Sequence, residues 1–176
     1  IERMGGGIAL HSEKGVGTRF VLTIPLEIDQ NPVQKQPEIT SFSSISGAKI
    51  LIAEDNPLNL EIVQFMLEHS GAHVTSVENG QQAVDVFTAS APGDFDVLLL
   101  DIMMPVLDGL EAARRIRALP RQDAKQIPIL AMTANAFAED VQRSLNAGMN
   151  AHLTKPLSEH KLLTALQQYV PKNQPE

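Results

Sequence analysis

The sequence predicts an α/β fold, a doubly wound five-stranded parallel sheet in the order 2-1-3-4-5 with helices on both faces. Three observations carry that expectation. From Ala48 onward, short apolar runs alternate with helical stretches five times, the pattern of successive βα units with right-handed crossovers. One run, Asp96–Val97–Leu98–Leu99–Leu100, is apolar throughout its centre, as in a strand covered on both faces. Polar residues with chemical potential stand where the runs end, and such sheets gather chemistry beyond the carboxyl ends of their strands, where strand order reverses.

The elements follow in order. Lys49–Ile50–Leu51–Ile52–Ala53 is the first strand of the sheet, and Asp55–Asn56–Pro57 supplies a cap and a proline suited to the first helical position. Leu60, Val63 and Leu67, helped by Ile62 and Met66, line one face of the helix that follows. His73 to Val77 reads as the second strand and Gly80 to Ala89 as the second helix. The Asp96–Leu100 strand leads into a helix over Gly109 to Ala118. Pro128 to Met132 is the fourth strand, and Ala136 to Asn146 is helical, stopping at Gly148. Ala151 to Thr154 is the fifth strand. Ser158 caps a last helix, with Leu157 and Leu162 placed as a hydrophobic staple.

Two stretches precede this region. Residues 1–27 contain Gly5–Gly6–Gly7 and, after Gly15–Val16–Gly17, the alternating Phe20, Leu22 and Ile24. They read as a hairpin with a half-buried strand. An isolated hairpin is marginal in water, so disorder or opportunistic packing is expected of it. Residues 28–47 are rich in Pro, Gln and Ser without a period and read as a flexible linker. Residues 48–171 form the α/β domain, and 172–176 a tail. The chain starts at Ile1–Glu2–Arg3 without an initiator Met and reads as a piece of a longer protein.

Composition narrows the function. Of 176 residues 43% are apolar, enough for a core, and no run is long enough to cross a bilayer. Cysteine is absent, which excludes disulfides and thiolate metal sites and points to a reducing, cytoplasmic setting. A net charge of −7 argues against nucleic-acid binding and suits a basic partner or a cation held by carboxylates.

The strand ends carry the chemistry. Glu54 and Asp55 follow the first strand, Asp101 the third, Thr133 the fourth and Lys155 the fifth. With the first strand central and the third beside it, these groups converge. Three crowded carboxylates repel unless a cation joins them, and oxygen-only ligands with room for water and phosphate suit Mg²⁺. A carboxylate beside such an ion can attack a phosphoryl group and form an acyl phosphate. Lys155 can reach a phosphoryl oxygen, and the Thr133 hydroxyl can donate to another. Taken singly, a strand-end Asp is usually a helix cap, a Thr a turn former and a Lys before Pro a surface residue. The functional reading rests on all of them together.

At Ile52–Ala53–Glu54–Asp55–Asn56, Leu100–Asp101–Ile102–Met103–Met104–Pro105–Val106–Leu107–Asp108–Gly109, Ala131–Met132–Thr133–Ala134–Asn135–Ala136 and Leu153–Thr154–Lys155–Pro156, the sequence resembles the receiver domains of two-component signalling. The resemblance implies a flavodoxin-like fold with Asp101 as phosphoacceptor. It also implies Asp55 as a direct Mg²⁺ ligand, Glu54 as one acting through water, and the Met103 backbone carbonyl as a third. Thr133 is then the switch hydroxyl, Lys155 the phosphate-binding lysine and Lys155–Pro156 a candidate cis bond. Where many receivers carry Tyr or Phe three residues before the lysine, this chain has His152, a departure from the aromatic switch. His152 is a candidate to swing in its place and to add pH sensitivity, and the competing reading is an exposed strand-edge histidine with no role.

Met4–Gly5–Gly6, Ser12–Glu13–Lys14–Gly15–Val16–Gly17–Thr18–Arg19–Phe20 and Ile24–Pro25–Leu26 resemble the end of a histidine-kinase ATPase domain. The resemblance then implies a hybrid sensor kinase as parent, a histidine protein kinase and membrane-anchored bacterial sensor. This piece lacks the ATP site and promotes phosphoryl transfer only to and from Asp101. The implied partners are a histidine phosphotransfer domain and the histidine-containing domain of the parent. Asn59, Leu60, Val63 and Pro156 are the candidate docking surface, although core packing competes for Leu60 and Val63. No membrane contact is expected of this piece.

Three rivals remain. A pseudo-receiver that only binds partners would lack an acid or the lysine. An aspartyl-phosphate hydrolase would want an Asp where Met103 stands. A free-standing response regulator fits poorly with the kinase-like stretch ahead of the linker.

Overall fold

The computed structural model describes residues 1–2, 5–26, 45–134 and 137–170. The chain divides into two compact units, Ile1–Ile39 and Thr40–Glu176. Most of the expected linker (28–44), the tail 172–176, and Asn135 and Ala136 lie outside the described residues.

In the first unit, β1 (Gly7–Glu13) and β2 (Gly17–Thr23) form the expected antiparallel hairpin. Cross-strand pairs Ile8↔Leu22 and Leu10↔Phe20 put four large apolar side chains on one face. The expectation of a half-buried strand is not met. Each of the four keeps more than half its surface exposed, and a two-stranded sheet taken by itself buries little apolar area.

The second unit runs β3 (Lys49–Ala53), α1 (Pro57–His69), β4 (His73–Val77), α2 (Gly80–Ala89), β5 (Val97–Asp101), α3 (Gly109–Ala118), α4 (Gln122–Gln126), β6 (Ile129–Thr133), α5 (Ala138–Asn146), β7 (Ala151–Thr154) and α6 (Glu159–Leu166). Its five strands are all parallel and lie in the order β4-β3-β5-β6-β7, which is the predicted 2-1-3-4-5. The alternation of side chains along each strand divides the core in two. Leu51, Ala53, Leu98, Leu100, Ile129 and Ala131 face α2 and α3, packing with Phe87, Leu110 and Ile116. Ile50, Ile52, Val97, Leu99, Leu130 and Met132 face α1 and α6, packing with Val63, Leu67, Leu162 and Leu166. Every β5 residue is buried, so the strand that ends in Asp101 is the most enclosed part of the sheet together with β6.

The structure departs from the expected elements in five places, one being that α5 begins at Ala138 rather than Ala136. β5 and β6 begin and end one residue later than predicted, so Asp101 and Thr133 are the last residues of their strands rather than the first of the loops. Asp96 instead accepts a hydrogen bond from the Lys49 backbone N–H at 2.8 Å, just ahead of β5. Ile45, assigned to the linker by its polar surroundings, is buried against the α1 side of the core, with Gly47 N–H donating to the Gly71 carbonyl at 2.8 Å. The domain therefore starts before Ala48. Ile62, placed on the buried face of α1, is 44% exposed. Finally, the short α4 was not anticipated. It carries buried Ala124 and sits beside Arg121, whose guanidinium pairs with Asp123 at 2.5 Å and reaches the Phe87 and Ser90 carbonyls.

Candidate functional site

The carboxyl ends of β3, β5, β6 and β7 deliver the predicted groups to one place. After β3, Asn56 caps α1, its side-chain oxygen accepting from the Leu58 and Asn59 N–H groups at 3.0 and 3.3 Å. Asp55 is thereby relieved of capping and stays exposed. Glu54 turns inward and is only 1% exposed. Asp101 and Thr133 are each 5% exposed. After β7, Lys155 N–H donates to the Thr133 carbonyl at 2.7 Å, and the Lys155–Pro156 peptide bond is cis.

Lys155 sits between two acids. Its Nζ donates to Glu54 Oε2 at 2.5 Å and to Asp101 Oδ2 at 2.6 Å. The other Asp101 oxygen accepts from the Met103 N–H at 3.1 Å. The other Glu54 oxygen accepts from Asn59 Nδ2 at 2.9 Å. One carboxylate oxygen from each of Glu54, Asp55 and Asp101 lies within 4.8 Å of the others. Three acids against one ammonium leave an oxygen-only, net-negative cluster, a donor set that fits a hard divalent cation such as Mg²⁺. Burial pushes the Asp101 carboxyl above its ordinary value, only partly offset by the Lys155 ammonium and the Met103 N–H. Burial alone would lower Lys155. The Asp101 and Glu54 carboxylates outweigh it and hold the ammonium above its ordinary value.

The loop after β5 is drawn tightly under the site. A Cβ on Gly109 would lie 2.1 Å from the Asp101 carbonyl oxygen, so only glycine lets α3 start this close to the acid. Upstream, Leu107 N–H donates to the Pro105 carbonyl at 2.8 Å, closing a three-residue turn around Val106 at φ +68. A γ-turn of that hand is rare and strained, and a β-branched residue there costs of order 1–2 kcal/mol. Val106 is 83% exposed and loses little packing if shortened. Val106→Gly is therefore expected to stabilise the chain by about 1 kcal/mol, read as a raised urea midpoint at unchanged slope. An unchanged or lowered midpoint would refute the strain.

Asp55, Met103 and Thr133 line one open cleft together with Pro105, Asp108, Asp140 and Arg143. His152 lies half-buried on the edge strand β7, in register with Ala131. Of the predicted docking residues, Val63 is 3% exposed and Leu60 is half-buried against the core. Asn59 and Pro156 line a groove with Ile62, Val63, Lys155 and Leu157. Leu58, Ile62 and Phe65 on α1 are exposed by 64%, 44% and 68% at i, i+4, i+7 spacing, an apolar stripe that sequence reasoning did not set apart. That reasoning also missed that Asn59 reaches Glu54.

Comparison with known proteins adds a second line. Residues 50–167 match the family model of the response regulator receiver domain. Sensor protein EvgS of Escherichia coli O157:H7 is 36% identical over 172 residues, covering 96% of this chain and 14% of its own length. Sensor protein GacS of Pseudomonas syringae pv. syringae is 41% identical over 120 residues, covering 68% of this chain and 13% of its own. The chain thus spans about a seventh of these relatives. Among solved structures, the receiver domain of sensor histidine kinase PA1611 from Pseudomonas aeruginosa PAO1 is 40% identical at a TM-score of 0.64, covering 71% of this chain and 98% of that one. It was solved with a magnesium ion coordinated in its active site cleft.

Proposed function

Because the chain belongs to the response regulator receiver domain family, we propose that Asp101 takes a phosphoryl group from a phosphohistidine and passes it to a histidine phosphotransfer domain or to water. The observation that carries this reading is the Lys155 ammonium shared between Asp101 and Glu54, with Asp55 alongside. An Asp101 carboxylate oxygen forms the new bond to phosphorus as the phosphorus–nitrogen bond to imidazole breaks. The Lys155 ammonium, which already donates to the carboxylate, would pair with an oxygen of the arriving group, and the Thr133 hydroxyl would donate to another. Glu54, Asp55, Asp101 and the Met103 backbone carbonyl would hold Mg²⁺, which when bound would offset charge on the transferring oxygens. Movement of Thr133 toward the phosphoryl group, with His152 two residues before its β7 register partner Thr154, would change the surface around the β6 and β7 loops.

Treating the chain with a small phosphodonor is expected to add the mass of one phosphoryl group, and only with Mg²⁺. Mass is the suitable readout because the chain has no Trp. Labelling without Mg²⁺, or on another residue, would overturn the reading.

The parent would be a membrane-anchored hybrid sensor histidine kinase, with residues 1–27 the end of its ATPase domain and this piece on the cytoplasmic side. Among the described residues no helix is long and apolar enough to cross a membrane. The partner surface would be the Leu58, Ile62 and Phe65 stripe with the groove reaching Asn59 and Pro156. Ile62→Asp is expected to slow transfer from the phosphorylated histidine domain by about tenfold or more, while labelling by the small phosphodonor stays at the native rate. Equal loss in both assays, or in neither, would remove the stripe from the docking surface.

A further inference from the structure

Glu54 is the most deeply enclosed acid of the cluster, its side chain showing no exposed surface. A buried carboxylate needs partners for both oxygens. One is taken by Lys155, which is shared with Asp101. The other is taken by Asn59 Nδ2 at 2.9 Å. Asn59 is therefore the partner of Glu54 that does not also serve Asp101. It is not needed for capping, because Asn56 performs that task and the Asn59 N–H is itself one of the capped donors. Its side chain instead reaches back across the turn from the third residue of α1. The residue type matters as much as the position. An amide donates without cancelling charge, so the cluster keeps its net negative charge for a cation. A lysine here would neutralise it, an aspartate would repel Glu54, and a leucine of similar size would leave a buried oxygen without a donor.

We infer that Asn59 is a positioning residue that sets the Glu54 carboxylate for a divalent cation, so that magnesium affinity depends on a side chain that need not touch the ion. This rests on the proposed reading of the acidic cluster as a cation site. Partners that orient a ligand typically change metal affinity by about 10–100-fold when removed.

The test titrates the chain with magnesium chloride by calorimetry and records the metal-free melting temperature of each variant. Asn59→Leu is expected to bind Mg²⁺ about tenfold more weakly than the native chain. Asn59→Gln, which keeps the amide donor, is expected to fall between the two. A merely structural role would lower the melting temperature and leave the Mg²⁺ dissociation constant alone. Native affinity in Asn59→Leu overturns the inference and leaves the proposed function standing. So does Asn59→Gln binding as weakly as Asn59→Leu, since the donor would then not be what matters. If Asn59→Leu fails to fold, Asn59→Ala takes its place with the same expected loss. If the native chain itself takes up no Mg²⁺, the inference and the cation-site reading fall together.

Discussion

Asp101→Asn is expected to abolish phosphorylation of the chain by a small phosphodonor and, at the same time, to make the metal-free protein more stable. The first effect follows from chemistry: an amide cannot attack phosphorus as a carboxylate does. The second follows from burial. Asp101 is 5% exposed, and loss of solvent outweighs the help of Lys155 and the Met103 N–H, so its folded-state pKa stands above the ordinary 3.8. A carboxyl with a raised pKa binds its proton more tightly when folded. Its stability contribution is present below pH 3.8 and is lost as pH rises through the raised value. The native chain should therefore weaken across that window in a way the Asn variant does not, leaving the variant ahead at neutral pH. Mg²⁺ should reverse the order, because the cation gives the native carboxylate a partner the amide cannot match. Chemical denaturation with and without Mg²⁺ at several pH values reads all of this. A metal-free Asp101→Asn chain less stable than the native one would mean that the Lys155 pair outweighs burial. A phosphoryl group on that variant would place the acceptor elsewhere.

Most of the fold was legible because the sheet repeats one device. Ile50, Leu51, Ile52 and Leu98, Leu99, Leu100 are apolar at every position because both sheet faces are covered, and capping at Asn56, Asn79, Asp108 and Ser158 starts the following helices. That Glu54, Asp55, Asp101 and Lys155 would meet was legible because the fold puts strand ends together, whatever the intervening sequence. What escaped was local or long-range. The five residues of α4 are too few to establish a helical period. Ile45 is a lone apolar residue in a polar stretch, and only the packed structure shows that it closes the α1 side of the core. The Val106 turn contradicts the preference of its own side chain, so propensity could not suggest it. That Lys155 is shared by Glu54 and Asp101, 101 and 54 residues away, and that Asn59 holds the other Glu54 oxygen, depends on side-chain reach, which strand and helix periods do not encode.

Replacing Lys155 should test how far one ammonium holds the site together. The Lys155 side chain is 19% exposed, and the carboxylates it joins are 0% and 7% exposed. Lys155→Met keeps the length and apolar stem but leaves two enclosed acids facing each other, with Asp55 close by. Removing one member of a buried ion pair costs about 3 kcal/mol, and that is the loss expected for the metal-free chain near neutral pH. The pH dependence separates charge from packing. Asp101 and Glu54 hold the Lys155 pKa above the ordinary 10.5 despite burial. Its stabilising contribution is therefore complete below pH 10.5 and lost as pH rises through the higher folded-state value. The native chain should lose stability in that alkaline window, and Lys155→Met should show no matching loss there. Mg²⁺ can supply the missing positive charge, so it should raise the melting temperature of Lys155→Met more than that of the native chain. It cannot restore a donor to the arriving phosphoryl oxygen, and labelling of Asp101 should remain slower by about a hundredfold even with saturating Mg²⁺. A variant as stable as the native chain and no more responsive to Mg²⁺ would mean that the acids are not held by this ammonium. A variant rescued by Mg²⁺ in stability and also in rate would confine Lys155 to balancing charge and remove it from the transfer step.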